Sequence, residues 1–157
     1  MPKIENPLLL GIYGHIVDEI LATTKSIDEA NAKLHELGKT IGQNIYLNTD
    51  IAEKTKETIT TREDVTRLVD VLFRTLFDRK PSELDMESAR GSVRVSDSSC
   101  VWCQEVNLEG MRGFGYCEVF SGILESILEL KGVKATVFEE SCRALGGASC
   151  IWNIRLV

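Results

Sequence analysis

The residues best suited to chemistry in this sequence are sulfur ligands in its last third. Three of the chain's five cysteines, Cys117, Cys142 and Cys150, lie there, and Glu139 lies among them. Thiolate sulfur and carboxylate oxygen are among the ligands that tetrahedral zinc takes in proteins. We therefore predict that these four residues bind one zinc ion. Because four protein ligands leave no position open for a substrate, the predicted role of the zinc is structural.

The elements predicted around these ligands would bring them together. Gly146 and Gly147 allow a tight reversal, which would place Cys142 and Cys150 at the mouth of one hairpin. Cys117 lies at the start of a predicted helix, where the helix dipole favours a thiolate. Two other interpretations stay open. The three thiols could be buried like small apolar side chains, or Cys142 and Cys150 could form a disulfide.

The remaining candidates for catalysis or metal binding are weaker. Cys100 and Cys103 form a C-x-x-C unit, which needs a turn or a helix start to act as a pair. The run from Ser99 to Leu108 is predicted as a strand, where positions i and i+3 face opposite sides, so we interpret these two as unrelated thiols. His15 and His35 lie on predicted helices with no cysteine at ligand spacing. With no acid–base pair and no Ser/His/Asp arrangement, the sequence predicts a binding protein and not an enzyme.

The composition limits the class of protein and its partners. A chain of 157 residues, 43% hydrophobic and 27% charged, is typical of one globular domain, here residues 1–157. The net charge of -6 argues against a nucleic-acid partner, which requires a basic surface. The sequence contains no apolar run of the roughly 20 residues that a membrane span needs, and its N-terminal stretch is not a secretory signal. Five cysteines without such a signal favour a reducing compartment. We expect a cytoplasmic protein with at most peripheral membrane association through a complex.

Three helices are predicted in the N-terminal half. The first covers Leu8 to Leu21, after a short leader. Capping boxes at Ser26–Glu29 and Thr60–Glu63 open the other two, and each of these helices carries an apolar stripe. Gly38 and Gly42, four residues apart in the second helix, permit the close approach of another helix. We predict that these two glycines lie in a two-fold dimer interface.

The hydrophobic period changes in the C-terminal half. One helix is predicted from Cys117 to Leu130, and Gly132 ends it. Four strands are predicted: Ser92–Ser96, Ser99–Leu108, Val133–Phe138 and Ile151–Val157. Because strands and helices do not strictly alternate, the predicted fold class is α+β with a largely antiparallel four-stranded sheet.

Several segments of the sequence are similar to a known family. The N-terminal half contains Tyr13-Gly14, the run ELGKTIGQNIYLN at Glu36–Asn48 and the run DVTRLVDVLFRTLFDRKPS at Asp64–Ser82. The C-terminal half contains Glu139-x-x-Cys142, Ala144-x-Gly146 and Cys150. The first set resembles the small subunits of the TRAPP vesicle-tethering complexes, in particular the Bet-type subunit. The second resembles the related 4-vinyl reductase domain family, whose metal-binding pattern also has a cysteine at the position of Cys117.

The resemblance implies further properties. It implies helices packed on one face of a twisted sheet, dimerisation and, in many members, a buried apolar cavity. Phe120, Leu124 and Ile127, on the inward row of the helix from Cys117, would form one wall of such a pocket. The Bet-type subunits carry an acylated cysteine shortly before their third helix. The matching stretch here, Lys56 to Ile59, has no cysteine, so acylation is not expected there.

The function that the resemblance implies is a TRAPP-like scaffolding subunit without enzymatic activity. Such a subunit would form a homodimer or pair with a related small subunit, and would join a larger assembly in vesicle or membrane traffic. The alternative is a 4-vinyl reductase-type sensing domain that binds a small hydrophobic molecule in an apolar pocket beside a structural zinc. A vinyl-group reductase comes third, because the sequence contains no nucleotide-binding fingerprint.

Overall fold

The N-terminal half of the chain is helical, as the apolar periodicity predicts. The computed structural model describes residues 6–86, 91–103, 106–108 and 110–157. Within this part, five α-helices occur: α1 Asn6–Thr23, α2 Ile27–Asn48, α3 Ile51–Lys54, α4 Arg62–Phe77 and α5 Glu118–Leu130. Most of the predicted leader, residues 1–5, lies outside the described residues. None of the described helices is both long and apolar enough to cross a membrane.

In the described part of the chain, four strands form one antiparallel sheet in the order β1-β2-β4-β3. They are β1 Glu83–Asp85, β2 Ser92–Asp97, β3 Ala135–Ser141 and β4 Cys150–Leu156. In the central β2–β4 pair, Val95 lies opposite Trp152 and Asp97 lies opposite Cys150. The predicted α+β class with an antiparallel four-stranded sheet is therefore confirmed.

One of the predicted strands is wrong, and one observed strand was not predicted. After β2 the chain forms consecutive turns over residues 98–103 instead of a strand from Ser99, and residues 104 and 105 lie outside the described part. The run Asp97-Ser98-Ser99 favours turns, because these side chains bond to nearby backbone. The fourth strand is instead β1, a three-residue edge strand that is too short to show alternation.

Side-chain caps set the first residues of α2 and α4. Ser26 Oγ accepts a hydrogen bond from the amide of Glu29 at 3.1 Å, as predicted. The box predicted from Thr60 begins one residue later, because Thr61 is the N-cap and Asp64 is its reciprocal partner. Thr60 and Thr61 offer equivalent hydroxyls. Thr61 is the N-cap because its hydroxyl accepts the Asp64 amide while the buried Asp64 carboxylate accepts the Thr61 amide.

Helix α5 lies between α2 and the sheet, and its contact with α2 is made backbone to backbone. A Cβ atom added to Gly38 would lie 2.8 Å from the Val119 carbonyl carbon and 3.0 Å from the Gly122 Cα. One added to Gly42 would lie 2.9 Å from the Ile123 carbonyl oxygen. The glycines thus permit a close helix crossing, but the second helix belongs to the same chain. The prediction that Gly38 and Gly42 form a dimer interface is wrong, because both are buried against α5.

Candidate metal centre

All five cysteines converge on one buried site, which we call the cysteine cluster. The turn after β2 supplies Cys100 and Cys103, and Cys117 is the residue before α5. Cys142 lies in the β3–β4 connection, and Cys150 is the first residue of β4. All five thiols are free and buried. Three segments that are distant in the sequence therefore meet at the N-terminal end of α5.

The sulfur atoms lie close enough to share one cation. Cys117 Sγ lies 3.7 Å from the sulfur of Cys100, 3.8 Å from that of Cys142 and 4.0 Å from that of Cys150. Cys103 Sγ lies 3.3 Å from Cys150 Sγ. Two groups have all their ligand atoms within 4.8 Å of one another: Cys100, Cys103, Cys117 and Cys150, and Cys117, Glu139 and Cys142. Cys117 is common to both groups and so occupies the centre of the cluster.

The four residues predicted to bind zinc all lie at this site, but they divide between the two groups. Glu139 and Cys142 form one group with Cys117, whereas Cys150 belongs to the group that contains Cys100 and Cys103. The interpretation of Cys100 and Cys103 as unrelated thiols is wrong, because the chain turns here and both side chains reach the cluster. The C-x-x-C spacing directly after a turn-forming run was the signal that could have identified them.

An arginine–carboxylate pair fixes the start of this turn. Arg79 donates two hydrogen bonds to the Asp97 carboxylate, at 2.9 and 2.7 Å, and a third to the Ser99 carbonyl at 2.9 Å. The Ser99 amide in turn donates to Asp97 at 3.1 Å. Because Asp97 is paired with Cys150 in the sheet, this network holds the cysteine-bearing turn beside β4.

The β3–β4 connection presents its two sulfurs through a tight backbone turn. Gly146 has φ 96°, a left-handed conformation that glycine adopts without steric cost. The Gly147 amide donates to the Cys142 carbonyl at 3.0 Å. The Arg143 amide donates to Cys150 Sγ at 3.4 Å. An amide that donates to sulfur favours the thiolate, which is the form that binds metals.

At Glu139 and Cys117 the surroundings disfavour the charged form unless a cation is bound. Both carboxylate oxygens of Glu139 are buried, and neither has a hydrogen-bond partner among the described residues. Burial, together with the neighbouring Cys142, raises the pKa of Glu139, and burial also raises the pKa of Cys117. A divalent cation would reverse this preference, because it stabilises the anionic forms of its ligands. The donor set of five thiols and one carboxylate fits a soft tetrahedral metal such as zinc.

Aromatic side chains surround the cluster. The Tyr13 hydroxyl of α1 donates to the Tyr116 carbonyl, and the Tyr13 ring lies 5.3 Å from Trp102 in an edge-to-face contact. The Trp152 indole donates to the Cys117 carbonyl at 3.2 Å. These contacts keep water away from the sulfurs and tie α1 to the site.

The residues of the predicted apolar pocket lie in the same core. Phe120, Leu124 and Ile127 are all buried on α5. The Phe120 ring centroid lies 4.8 Å from that of Trp152 and 5.4 Å from that of Phe73. The pocket itself stays a prediction.

Comparison with known proteins places the chain in a family. A family model described as transport protein particle (TRAPP) component matches residues 11–155. The structure of a trafficking protein particle complex subunit 3 from Naegleria fowleri, covalently bound to palmitic acid, aligns with a TM-score of 0.84 and 16% identity over 97% of this chain and 95% of that chain. A comparison with curated protein sequences gave no match.

Two further solved structures share the fold at lower similarity. A vinyl-4-reductase family protein from Methanocaldococcus jannaschii aligns with a TM-score of 0.52 and 18% identity, over 100% of this chain and 84% of that one. The phenol-responsive sensory domain of the transcription activator PoxR, solved with phenol, aligns with a TM-score of 0.52 and 15% identity, over 99% of this chain and 76% of that one. At these identities the likeness concerns the fold alone.

Proposed function

Because this chain belongs to the TRAPP component family, we propose that it is a scaffolding subunit of a trafficking assembly, without enzymatic activity. It dimerises and joins related small subunits. The family match over residues 11–155 carries this proposal, and the fold shared with a trafficking protein particle subunit 3 supports it. Membrane contact would then be peripheral, made on the cytoplasmic side through the assembly.

The surface best suited to a partner subunit is the outer face of α1. Leu8 and Ile12 are 59% and 52% exposed there. Beside them, a groove of roughly 580 Å³ runs between α1 and α2, with Ile16, Ile20 and Leu37 among its lining residues. The apolar stripe of α4 and the glycine face of α2 are already covered within the chain. An apolar helix face with an adjoining apolar groove is a typical protein–protein contact surface, and it would suit a second copy or a related subunit.

A charge placed on this surface tests the dimer. Light scattering at micromolar concentration is expected to give the wild-type chain a mass near twice 17.5 kDa. Ile12→Glu is expected to give a monomer, because the carboxylate would have to be desolvated in the interface. Leu47→Glu is the matched control, since Leu47 is 77% exposed and lies about 15 Å along α2 from Leu37. A monomeric wild-type chain would contradict dimerisation.

Assembly with other subunits needs a separate experiment. Tagged wild-type chain, expressed in its source cells, should copurify with a second subunit of the TRAPP family, identified by mass spectrometry. The Leu47→Glu variant should retain this partner. Recovery of no family subunit in any preparation would contradict the scaffolding function.

The cysteine cluster is proposed to bind one structural zinc ion. Its five free thiols and the Glu139 carboxylate with no hydrogen-bond partner support this. The set predicted from the sequence, Cys117, Glu139, Cys142 and Cys150, remains a prediction of which side chains bind. Elemental analysis of protein purified without chelator should find about one zinc per chain. Less than about a tenth of an equivalent, with stability unchanged by EDTA, would contradict a structural zinc.

The cluster also supports a second candidate function, a 4-vinyl reductase-type domain that senses a small hydrophobic molecule. Phe120, Leu124 and Ile127 would line its pocket. The ligand would be held without a covalent bond to Lys56–Ile59, because that stretch has no cysteine. Native mass spectrometry of the purified chain should then reveal an apolar guest. A negative result there and in a hydrophobic-dye titration would leave the scaffolding function alone.

A further inference from the structure

The turn after β2 contributes two sulfurs to the cluster, those of Cys100 and Cys103, which the ligand set predicted from the sequence does not include. Cys100 Sγ lies 3.7 Å from Cys117 Sγ, and Cys103 Sγ lies 3.3 Å from Cys150 Sγ. Cys117 and Cys150 are themselves 4.0 Å apart. The four sulfurs all lie within 4.8 Å of one another.

This spacing is close to that of four sulfurs around one tetrahedral ion. Zinc–sulfur bonds of about 2.3 Å in tetrahedral geometry separate the sulfurs by about 3.8 Å. The group that contains Glu139 supplies only three ligands, Cys117, Glu139 and Cys142, and Cys150 is not a member of it. A complete tetrahedral set is therefore present only in the four-thiol group among the described residues.

Hydrogen bonds from neighbouring residues also fix the positions of these four sulfurs. The Arg79–Asp97 pair fixes the turn that carries Cys100 and Cys103, and the Arg143 amide donates to Cys150. Hydrogen bonds around a metal site orient its ligands and strengthen binding. Cys142 is not a member of this four-sulfur group, although its sulfur lies 3.8 Å from that of Cys117.

We propose that Cys100, Cys103, Cys117 and Cys150 are the ligands of a four-thiolate zinc site, with Cys142 and Glu139 beside it and not bound to the metal. This rests on the proposed structural zinc and changes two of its ligands. The C-x-x-C unit then supplies two of the four ligands, and the other two, Cys117 and Cys150, are the residue before α5 and the first residue of β4.

X-ray absorption of the zinc-loaded wild-type chain tests the ligand set without any substitution. Four sulfurs at about 2.3 Å are expected, whereas the set predicted from the sequence would give three sulfurs and one oxygen at about 2.0–2.2 Å. The mixed result would overturn the four-thiolate site. Failure of the wild-type chain to bind zinc after reconstitution would overturn it too.

Single substitutions identify the individual ligands. Cobalt(II) replaces zinc in such sites, and its sulfur-to-metal charge-transfer absorption grows with the number of bound thiolates. Cys100→Ser and Cys103→Ser should each lower this absorption by about a quarter and weaken zinc binding by at least about tenfold. Cys142→Ser and Glu139→Gln are the matched controls and should leave both unchanged. If Cys142→Ser and Glu139→Gln weaken zinc binding while Cys100→Ser and Cys103→Ser do not, the ligands are Cys117, Glu139, Cys142 and Cys150, and the four-thiolate site is overturned.

The test of the zinc ligands and the test of the scaffolding function can fail independently of each other. Circular dichroism identifies any variant that fails to fold, and the wild-type absorption measurement does not depend on the variants. Copurification of wild-type chain with a TRAPP family subunit is read independently of the metal. Loss of the partner with an intact four-sulfur site would overturn the scaffold alone, and a partner retained with a mixed ligand set would overturn the present proposal alone.

Discussion

Helix α5 takes part in two contact regions that are held together by different interactions. The glycine crossing, formed by Gly38 and Gly42 of α2 with Gly122 of α5, joins two helices whose spacing pattern is visible in the sequence. The cysteine cluster joins three chain segments that no periodic pattern connects. The first is a steric fit between backbones, and the second is a set of polarisable, ionisable atoms.

The two regions differ in the interaction that stabilises each of them. At the crossing, the absence of a Cβ lets the helices touch, and dispersion between close-packed backbones supplies the attraction. At the cluster, five buried thiols gain little from one another as neutral groups. A bound cation would convert them into ligands whose binding free energy is also folding free energy. We therefore expect the cluster to depend on metal supply and the crossing not to.

The largest expected effect is the loss of the metal. Cys117→Ser removes the one thiol common to both ligand groups, so it should abolish zinc binding whichever set is correct. The expected loss is about 4 kcal/mol in the free energy of unfolding when free zinc is about 1,000-fold above its dissociation constant. Urea unfolding with and without zinc measures it. Chelator should lower the stability of the wild-type chain but not of the variant, and equal chelator effects would contradict the prediction.

The helices and strands could be predicted from the sequence more fully than the tertiary contacts between them. The periodicity of α1, α2, α4 and α5 and the patterns of β2, β3 and β4 were sufficient. Helix α3 has four residues and β1 has three, which is too short for either period to be detected. Gly38 and Gly42 indicated a close crossing, but local spacing carries no information about whether the second helix belongs to the same chain.

The crossing itself should be sensitive to a single methyl group. Gly122→Ala would place a Cβ 2.8 Å from the Lys39 backbone nitrogen and 2.9 Å from the Gly38 Cα, and neither backbone atom can move aside easily. We expect a loss of about 2–3 kcal/mol, as in other overpacked cores. Gly11→Ala is the matched control, because no heavy atom lies within 4 Å of its added Cβ. That variant should be unchanged or slightly more stable, since alanine favours helix over glycine. Both are read from urea unfolding, and equal effects would contradict the steric role of the crossing.

A smaller loss of stability is expected when the ion pair that holds the cysteine-bearing turn is removed. Asp97→Asn removes the charge that pairs with Arg79 at 2.7 Å, and the expected cost is about 1.5 kcal/mol, because Arg79 can partly turn to water. Zinc affinity should fall as well, since the turn is less firmly held. Asp70→Asn is the control, since its pair with Arg74 is an exposed i,i+4 contact that contributes at most about 0.5 kcal/mol. Equal losses in both variants would show that the turn is not positioned by this pair.

The site could be predicted in part because the turn between Cys142 and Cys150 is local. Gly146 and Gly147 indicate the reversal directly. Cys100 and Cys103 were missed because Val101 and Trp102 favour a strand, whereas tertiary contacts of Trp102 with Tyr13 and Phe77 place it in a buried turn. Strand propensity reflects how well a side chain packs on a half-buried surface more than it reflects a backbone preference. Valine and tryptophan can therefore also occur in a buried turn.

The smallest expected effect is a pH dependence at the crossing. His35 Nδ1 lies 2.9 Å from Glu118 and Nε2 lies 2.9 Å from Glu125, so both ring nitrogens donate only when the imidazole is protonated. The hydrogen bond to Glu118 is the largest of the causes that raise the pKa of His35 above its ordinary value of 6.5. Lys39 is a further charged group beside this pair, with its Nζ 3.8 Å from a Glu125 carboxylate oxygen.

Because the pKa of His35 is higher in the folded chain than in the unfolded chain, its stabilisation is fully present below about pH 6.5 and is lost as the pH rises through the folded value. The contribution should not exceed about 1 kcal/mol, since solvent screens this partly exposed pair. The free energy of unfolding of the wild-type chain and of His35→Gln is to be compared at about pH 5.5 and about pH 9. The wild-type advantage should be larger at the lower pH. An advantage of the same size at both values would mean that the histidine is not protonated between α2 and α5, and that the crossing owes its stability to the glycine contact alone.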